Sequence, residues 1–188
     1  SKRFDVYGQD VSEQAVAFCR RRGLRNVYCG PISQVVPADK PFDLVTTLDV
    51  IEHIDDDIGT LRQIHGLLRV GGSVLIAVPA FPSLWGPHDV VTHHKRRYVK
   101  STLRSSVEQA GFEVEYMTYF NFFLLPVALV RRTLAKFTGS AAAADLEIPP
   151  RPVNAVLRAL FEFEKLLLPA VRFPFGLSLL SVGRKRAR

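Results

Sequence analysis

The sequence predicts an α/β fold built around one mainly parallel sheet. Short apolar segments rich in β-branched residues, such as 42–48 and 73–78, alternate with segments whose apolar residues recur at helical spacing. This alternation is typical of βαβ units. The 188 residues, of which 47% are hydrophobic and 23% charged, are enough for a globular domain with a sizeable core.

The first strands and helix are marked by local signals. A short strand is predicted to end at Asp10, and Ser12 is placed to cap the helix that follows. Gly23 is expected to end that helix, and 26–29 forms the next strand. The segment 42–48 is apolar enough to be a buried parallel strand.

The middle of the chain continues the alternation. The acidic run 55–57 opens a helix whose apolar residues recur until Gly71 and Gly72, which are expected to stop it. A buried strand is predicted at 73–78, and Ser101 is expected to cap a later helix.

After a strand at 113–119 the alternation stops, and two apolar-faced helices, at 121–137 and 153–168, precede a last strand at 177–183. A low-complexity linker separates the two helices. We therefore divide the chain into an α/β core, a helical insertion or cap, and a final strand with a basic tail, at 1–120, 121–175 and 176–188.

Composition limits the partners and the compartment. The net charge of +7 is concentrated at 95–97, 131–132 and 184–188, but without interleaved aromatic residues these clusters predict a solvated surface rather than a nucleic-acid partner. The apolar segments 119–130 and 166–182 fall short of the roughly 20 unbroken residues that span a bilayer. Two cysteines without metal-type spacing favour a reducing compartment, and we expect a cytoplasmic protein.

Asp10 is the first candidate for ligand binding, since ligands of open α/β sheets bind beyond the carboxyl ends of the strands. A carboxylate there can accept hydrogen bonds from both hydroxyls of a nucleotide ribose. The alternative is an acid that interacts with the dipole of the following helix, with Ser12 as its cap. The spacing alone leaves both interpretations open.

A second polar group, Asp49, Glu52 and His53, directly follows the strand at 42–48. These side chains could bind a ligand, orient a base or hold a metal. Alternatively, Asp49 and Glu52 cap the next helix, which is the interpretation that these residues favour when taken alone.

The long connection at 79–98 is a candidate lid. It contains the only tryptophan, Trp85, and three of the five histidines. His88, His93 and His94 lack a convincing zinc-ligand arrangement, so no metal is expected. The segment either lines a substrate pocket or braces the surface with its aromatic and arginine side chains.

In their order and spacing, these segments resemble the class I S-adenosylmethionine-dependent methyltransferases, particularly a bacterial branch. The resemblance is carried by residues 6–12, 42–45, 48–53, 68–72, 79–82, 88–98 and 110–112. It implies a Rossmann-like sheet with strand order 3-2-1-4-5-7-6, an antiparallel last strand, and S-adenosyl-L-methionine as the cofactor.

The resemblance also implies roles for individual residues. The cofactor would contact Asp10, Val11, Ile32, Leu48 and Asp49. Ile32 is included because Pro31 stands where many relatives carry an adenine-binding acid, which leaves adenine to backbone groups nearby. The catalytic candidates are His53 and His88, and the substrate candidates are Glu52, Trp85, His93, Arg97 and Tyr98.

The family's glycine-rich loop should precede Asp10 by about 20 residues, and only nine residues precede it here. We therefore expect strand 1 and this loop to be missing from the sequence. The 188-residue span is accordingly expected to bind the cofactor poorly.

The resulting hypothesis is methyl transfer to a small or lipid-like acceptor, with His53 or His88 as the base. The alternatives are a degenerate, non-catalytic binding module and a nicotinamide-dependent oxidoreductase, which also uses an acid after its second strand. The apolar helices within 121–168, with Arg131 and Arg132 nearby, could rest on an anionic membrane. The protein would then be peripheral to the inner membrane face.

Overall fold

The computed structural model describes residues 4–32, 41–130 and 150–187. The strands are β1 (Gly8–Asp10), β2 (Val27–Cys29), β3 (Phe42–Leu48), β4 (Leu68–Pro79), β5 (Glu113–Phe120) and β6 (Ser178–Arg184). The helices are α1 (Glu13–Arg21), α2 (Asp57–Leu67), α3 (Pro87–Val91), α4 (Lys100–Gln109) and α5 (Arg151–Leu167), with 3-10 turns at Ile51–His53 and Pro82–Leu84.

The strands form two hydrogen-bonded sheets, a parallel β1-β2 pair and a four-stranded sheet in the order β3-β4-β6-β5. Strand β3 is parallel to β4, whereas β6 is antiparallel to both of its neighbours. Strands β3, β4 and β5 therefore share one direction, and β6 alone runs against them. A Rossmann-like α/β fold with an antiparallel last strand was predicted from the sequence, and it is confirmed.

The two sheets approach each other at the amino-terminal ends of β1 and β3. The ring of Tyr7, just before β1, meets the ring of Phe42 edge-on with centroids 5.5 Å apart. No backbone ladder joins β1 to β3 among the described strands. Strand β3 therefore has a neighbour on one side only, and Leu44 and Leu48 are each 53% exposed. The expectation of a fully buried β3 is wrong for this reason.

Strand β4 lies at the centre of the core because β3 and β6 flank it and helices cover it. Its Val74, Ile76 and Val78 are completely buried. Leu61 of α2 and Leu103 of α4 belong to the same apolar cluster and are also inaccessible to solvent. Packing against β4 thus fixes both helices on the sheet.

The boundary between α2 and β4 differs from the prediction. Strand β4 begins at Leu68, directly after α2, so Gly71 and Gly72 lie inside the strand rather than ending the helix. A Cβ on Gly72 would lie 3.0 Å from the carbonyl oxygen of Phe42. The carbonyl oxygen of Arg69 would be equally close, at 2.9 Å, so backbone atoms of both β4 and β3 require a glycine here.

The start of α4 also differs from the prediction. The cap is Val99 rather than Ser101, which lies inside the first turn. Thr102 explains the shift, because its Oγ1 accepts a hydrogen bond from the backbone N–H of Val99 at 3.0 Å. The equivalent prediction for α1 is confirmed, since Ser12 accepts a hydrogen bond from the backbone N–H of Ala15.

The basic tail is tied to the chain's own polar groups. Arg186 forms an ion pair with Glu113, and the Nζ of Lys185 donates to the carbonyl oxygens of His65 and Leu68. These contacts give the tail a structural role at the end of β6.

The first helix of the predicted insertion is described only in part, with helical backbone at 125–130. Arg131, Arg132 and most of the linker lie outside the described residues. The second helix is observed as α5, close to its predicted bounds. Within the described ranges, no helix combines the length and the apolar character needed to cross a bilayer.

Candidate functional site

A cavity of about 560 Å³ opens at the carboxyl ends of β3 and β4. Asp49 and His53 reach it from the turn after β3, and Pro79 reaches it from the end of β4. The connection between β4 and α4 contributes His88, His94 and Arg97, and Asn121, Ala128 and Ser178 close the remaining side. This is the edge at which open α/β sheets bind their ligands.

The connection over the cavity leaves and rejoins the sheet at one point. The backbone N–H of Tyr98 donates to the carbonyl oxygen of Pro79 at 3.0 Å, and Phe81 donates to the carbonyl oxygen of Tyr98 at 2.8 Å. The Tyr98 side chain is also fixed on the core side of the loop, because its hydroxyl donates to Asp57 at 2.8 Å. The loop is therefore closed at its base while its tip, including α3, covers the cavity.

Asp49 redirects the chain from β3 into the cavity wall. Its φ of 52° lies in the left-handed region, which aspartate tolerates better than most residues. Its backbone N–H still donates to Ala77 of β4 at 2.9 Å, so the turn begins from a fixed position. Burial raises the pKa of the Asp49 carboxyl, although the imidazoles of His94, His53 and His88 oppose the increase.

Glu52 lies beneath the cavity and is completely buried. Neither carboxylate oxygen has a hydrogen-bond partner among the described residues. Burial raises the pKa of Glu52 to about 7; the glutamate's own backbone amide opposes the increase, and the carboxylate of Asp49 adds to it. The Nε2 of His53 lies 3.9 Å from Oε1 of Glu52.

Asp89 of α3 orients two cavity residues. It is completely buried, and its Oδ1 lies 2.8 Å from Nδ1 of His94 and 2.7 Å from Nε of Arg97. Its Oδ2 accepts from the backbone N–H of Gly86 at 2.8 Å. Burial alone would raise the pKa of Asp89, but the hydrogen bonds from Arg97 and His94 hold it below its usual range.

This contact determines which nitrogen of His94 is available. A proton on Nδ1 directed at Asp89 leaves Nε2 as the free lone pair. Asp89 and His94 were not identified as interacting partners from the sequence, because residues 88–98 were treated as one segment and His88 and His93 were selected from its histidines. The spacing of Asp89, His94 and Arg97 is visible in the sequence, but only the fold shows that their side chains are in contact.

Three histidines from two segments converge in the cavity. The rings of His53 and His94 have centroids 4.7 Å apart, and those of His88 and His94 are 6.0 Å apart. Ligand atoms of Glu52, His53 and His94 all lie within 4.8 Å of one another. Such a set of nitrogen and oxygen donors could hold a divalent cation. The expectation of no metal remains a prediction.

Other predicted substrate residues lie elsewhere. Tyr98 is 2% exposed and packs in the core, and burial raises the pKa of its hydroxyl. Trp85 and His93 are exposed, and neither lines the cavity. Of the predicted substrate residues, Arg97 lines the cavity directly, and Glu52 lies beneath it.

The predicted cofactor residues are divided between the two sheets. Asp10 ends β1 and is exposed, and its Oδ1 accepts from the backbone N–H of Ser12 at 2.8 Å. Val11 is 75% exposed, whereas Ile32 is partly buried against the core. Asp10 thus stabilises the start of α1 and also presents an acid to solvent at a strand end.

Comparison with known proteins finds similarity to methyltransferases. A methyltransferase-domain family model matches residues 1–76. A probable S-adenosylmethionine-dependent methyltransferase of Mycolicibacterium smegmatis is 31% identical over 113 residues, covering 58% of this chain and 44% of that protein. A ubiquinone biosynthesis O-methyltransferase of Pseudomonas aeruginosa is 26% identical over 132 residues, covering 59% and 56%.

The chain thus spans about half the length of the curated relatives that it matches. Among solved structures, a putative methyltransferase of Haloferax volcanii, determined in complex with the Trm112 activator, superimposes with a TM-score of 0.60. The two are 18% identical, and the match covers 97% of this chain and 72% of that one. On the matching sequence segments and this shared fold, the chain resembles the class I S-adenosylmethionine-dependent methyltransferases, whose cofactor is S-adenosyl-L-methionine.

Proposed function

We propose that the protein transfers a methyl group from S-adenosylmethionine to a small or lipid-like acceptor bound in the cavity. One observation carries the proposal. The segment that matches the methyltransferase model, 1–76, includes β3 and the turn after it, and that turn supplies Asp49 and His53 to the cavity. The part of the chain that resembles methyltransferases therefore forms one wall of the cavity.

The cofactor supplies an electrophilic methyl group on a positively charged sulfur. We assign its ribose to Asp10, with Val11 alongside, and its adenine to backbone groups near Ile32. Leu48 and Asp49 lie against it from β3. Asp10 suits this role because its carboxylate is exposed at a strand end and can accept from hydroxyls.

The acceptor side of the site needs alignment and a proton acceptor. Bound S-adenosylmethionine would supply the methyl group to the attacking atom, and its sulfur would keep the electron pair of the broken carbon–sulfur bond. A proton on the acceptor passes to His53 or His88, both of which line the cavity. Arg97 and Glu52 contribute charge from the wall and from beneath it. Roles for Trp85 and His93 require the acceptor to contact the loop beyond the cavity, whereas Tyr98 supports the loop from the core.

Cofactor binding separates this proposal from the alternatives. Isothermal calorimetry should detect S-adenosylmethionine but not NAD, and the opposite result would indicate an oxidoreductase. Binding of neither by the complete protein would favour a non-catalytic module. Weak binding is expected of the 188-residue span alone, because no ladder joins the described strands that carry Asp10 and Asp49.

Asp10→Ala should weaken S-adenosylmethionine binding by about tenfold to a hundredfold in the complete protein, since it removes charge-assisted hydrogen bonds to the ribose. The measurement is the calorimetric dissociation constant. Asp5→Ala, at another exposed acid before β1, is the matched control and should leave the affinity unchanged. Equal affinities for both variants would remove Asp10 from the cofactor site.

His53→Ala should lower turnover by about one to two orders of magnitude, a modest loss for a general base because His94 lies beside it and His88 lies beside His94 in the same cavity. Cofactor affinity should change much less. Turnover is measured as formation of S-adenosylhomocysteine with a saturating acceptor. A variant that loses cofactor affinity but keeps its turnover would contradict a role for His53 in proton transfer.

A further inference from the structure

Helix α5 carries an apolar stripe that remains accessible to solvent. Val156, Ala159, Phe163 and Leu166 recur on one side of the helix at spacings of three and four residues. Val156, Phe163 and Leu166 are 60%, 52% and 74% exposed. The neighbouring side of the helix, which includes Glu164, packs onto the molecule instead. The apolar character of α5 therefore extends well beyond the side that the fold buries.

The helix is fixed to the segment that walls the cavity. Glu164 is 2% exposed, and its Oε2 accepts a hydrogen bond from the backbone N–H of Phe123 at 3.2 Å. The rings of Phe123 and Phe163 lie 5.7 Å apart. The same segment supplies Asn121 and Ala128 to the cavity. The stripe and the cavity thus belong to one connected part of the structure.

A row of cations runs beside the stripe. Arg151, Arg158 and Lys165 recur every seven residues, which places them along one side of α5, and all three are exposed. Glu162 is the exposed acid of this helix, and it forms an ion pair with Lys165 at 3.3 Å. Helices with an apolar face beside a basic one lie in the interface of anionic membranes. In an antiparallel two-fold contact that buries the stripe, the two cationic rows would lie on the same side and repel each other, which disfavours that contact with a second copy.

We propose that α5 docks the protein on an anionic lipid surface. Val156, Phe163 and Leu166 enter the boundary between headgroups and acyl chains, and Arg151 and Arg158 contact phosphate groups. Docking through α5 brings the cavity next to the membrane, so that an acceptor dissolved in the lipid can enter the cavity. The delivery of an acceptor rests on the proposed methyl transfer, whereas the docking itself does not.

The test is co-sedimentation with vesicles made of equal amounts of phosphatidylcholine and phosphatidylglycerol. The protein should bind these vesicles, bind vesicles of phosphatidylcholine alone much more weakly, and lose affinity as salt is raised. Arg151→Glu with Arg158→Glu should lower the partition coefficient about tenfold or more. Phe163→Ser with Leu166→Ser should lower it by a similar factor.

The matched control is Leu24→Ser with Arg25→Glu, which makes the same chemical changes at exposed positions between α1 and β2. It should bind as the unchanged protein does. Circular dichroism melts establish that each variant is folded. The proposal is overturned if the control and the α5 variants bind equally, or if none of the proteins binds. It is also overturned if the apolar variant abolishes self-association in solution without affecting vesicle binding. Calorimetry with S-adenosylmethionine tests the methyl-transfer proposal separately.

Discussion

Replacing Glu52 with glutamine is expected to stabilise the protein by on the order of 3 kcal/mol at about pH 8.5 and by little at about pH 5. Burial raises the pKa of Glu52 from 4.5 to about 7, so the folded protein holds this proton more tightly than the unfolded chain does. The stabilisation that the folded protein gains from this tighter proton binding is fully present below pH 4.5 and is lost as the pH rises through about 7. Glutamine cannot ionise, so the variant escapes this loss.

The measurement is the free energy of unfolding in urea across this pH range, with a chelator present because a bound cation would favour the ionised carboxylate. Glu108→Gln, at an exposed acid of α4 that pairs with Arg104, is the control. Its difference from the unchanged protein should stay within about 1 kcal/mol at both pH values. If the effect of Glu52→Gln is independent of pH, the buried carboxyl does not titrate near neutrality.

Gly176→Ala is expected to destabilise the fold by about 3 kcal/mol or more. A Cβ at this position would lie 2.2 Å from the carbonyl oxygen of Phe120 and 2.9 Å from its carbonyl carbon. Phe120 ends β5 and pairs with Ser178 of β6. Because the clashing atoms of Phe120 belong to the backbone, the clash can be removed only if β6 shifts away from β5.

Gly66→Ala is the matched substitution, because the residue is inside α2 and nothing beyond its chain neighbours and the backbone of its own helix lies within 4 Å of the added Cβ. It should stabilise the protein by about 0.5–1 kcal/mol through higher helix propensity. Urea unfolding of both variants measures the contrast. Equal effects would show that the close approach at Gly176 is absent in solution.

Sequence patterns predicted the elements whose determinants are local. Strand β3 was predicted with the observed bounds, since its apolar run is flanked by turn residues, and Ser12 was identified as a cap from its position before a helix. The start of β4 at Leu68 was missed, because Gly71 and Gly72 suggest a helix end, whereas Gly72 is needed where the backbone of β3 comes close. The exposure of Leu44 and Leu48 likewise depends on which strands are neighbours, which no local pattern states.

The same distinction applies to the site. Asp49, His53 and His88 could be selected because strand ends meet at one edge of a sheet, and all three line the cavity. The pairing of Asp89 with His94 and Arg97 depends on the path of the loop after β4, which is long and irregular. Tyr98 was assigned to the substrate for its place in that loop, yet its hydroxyl is directed into the core at Asp57.

Closure of this loop at Pro79, Phe81 and Tyr98 has an evolutionary consequence. A loop whose two ends are hydrogen-bonded to each other can gain or lose residues at its tip for a small entropic cost, since the entropy of loop closure grows only with the logarithm of loop length. Related enzymes could therefore acquire different acceptor preferences by exchanging the tip while the strands beneath stay unchanged. Chimeras that graft a relative's tip between Phe81 and Arg97 offer a direct route to altering selectivity.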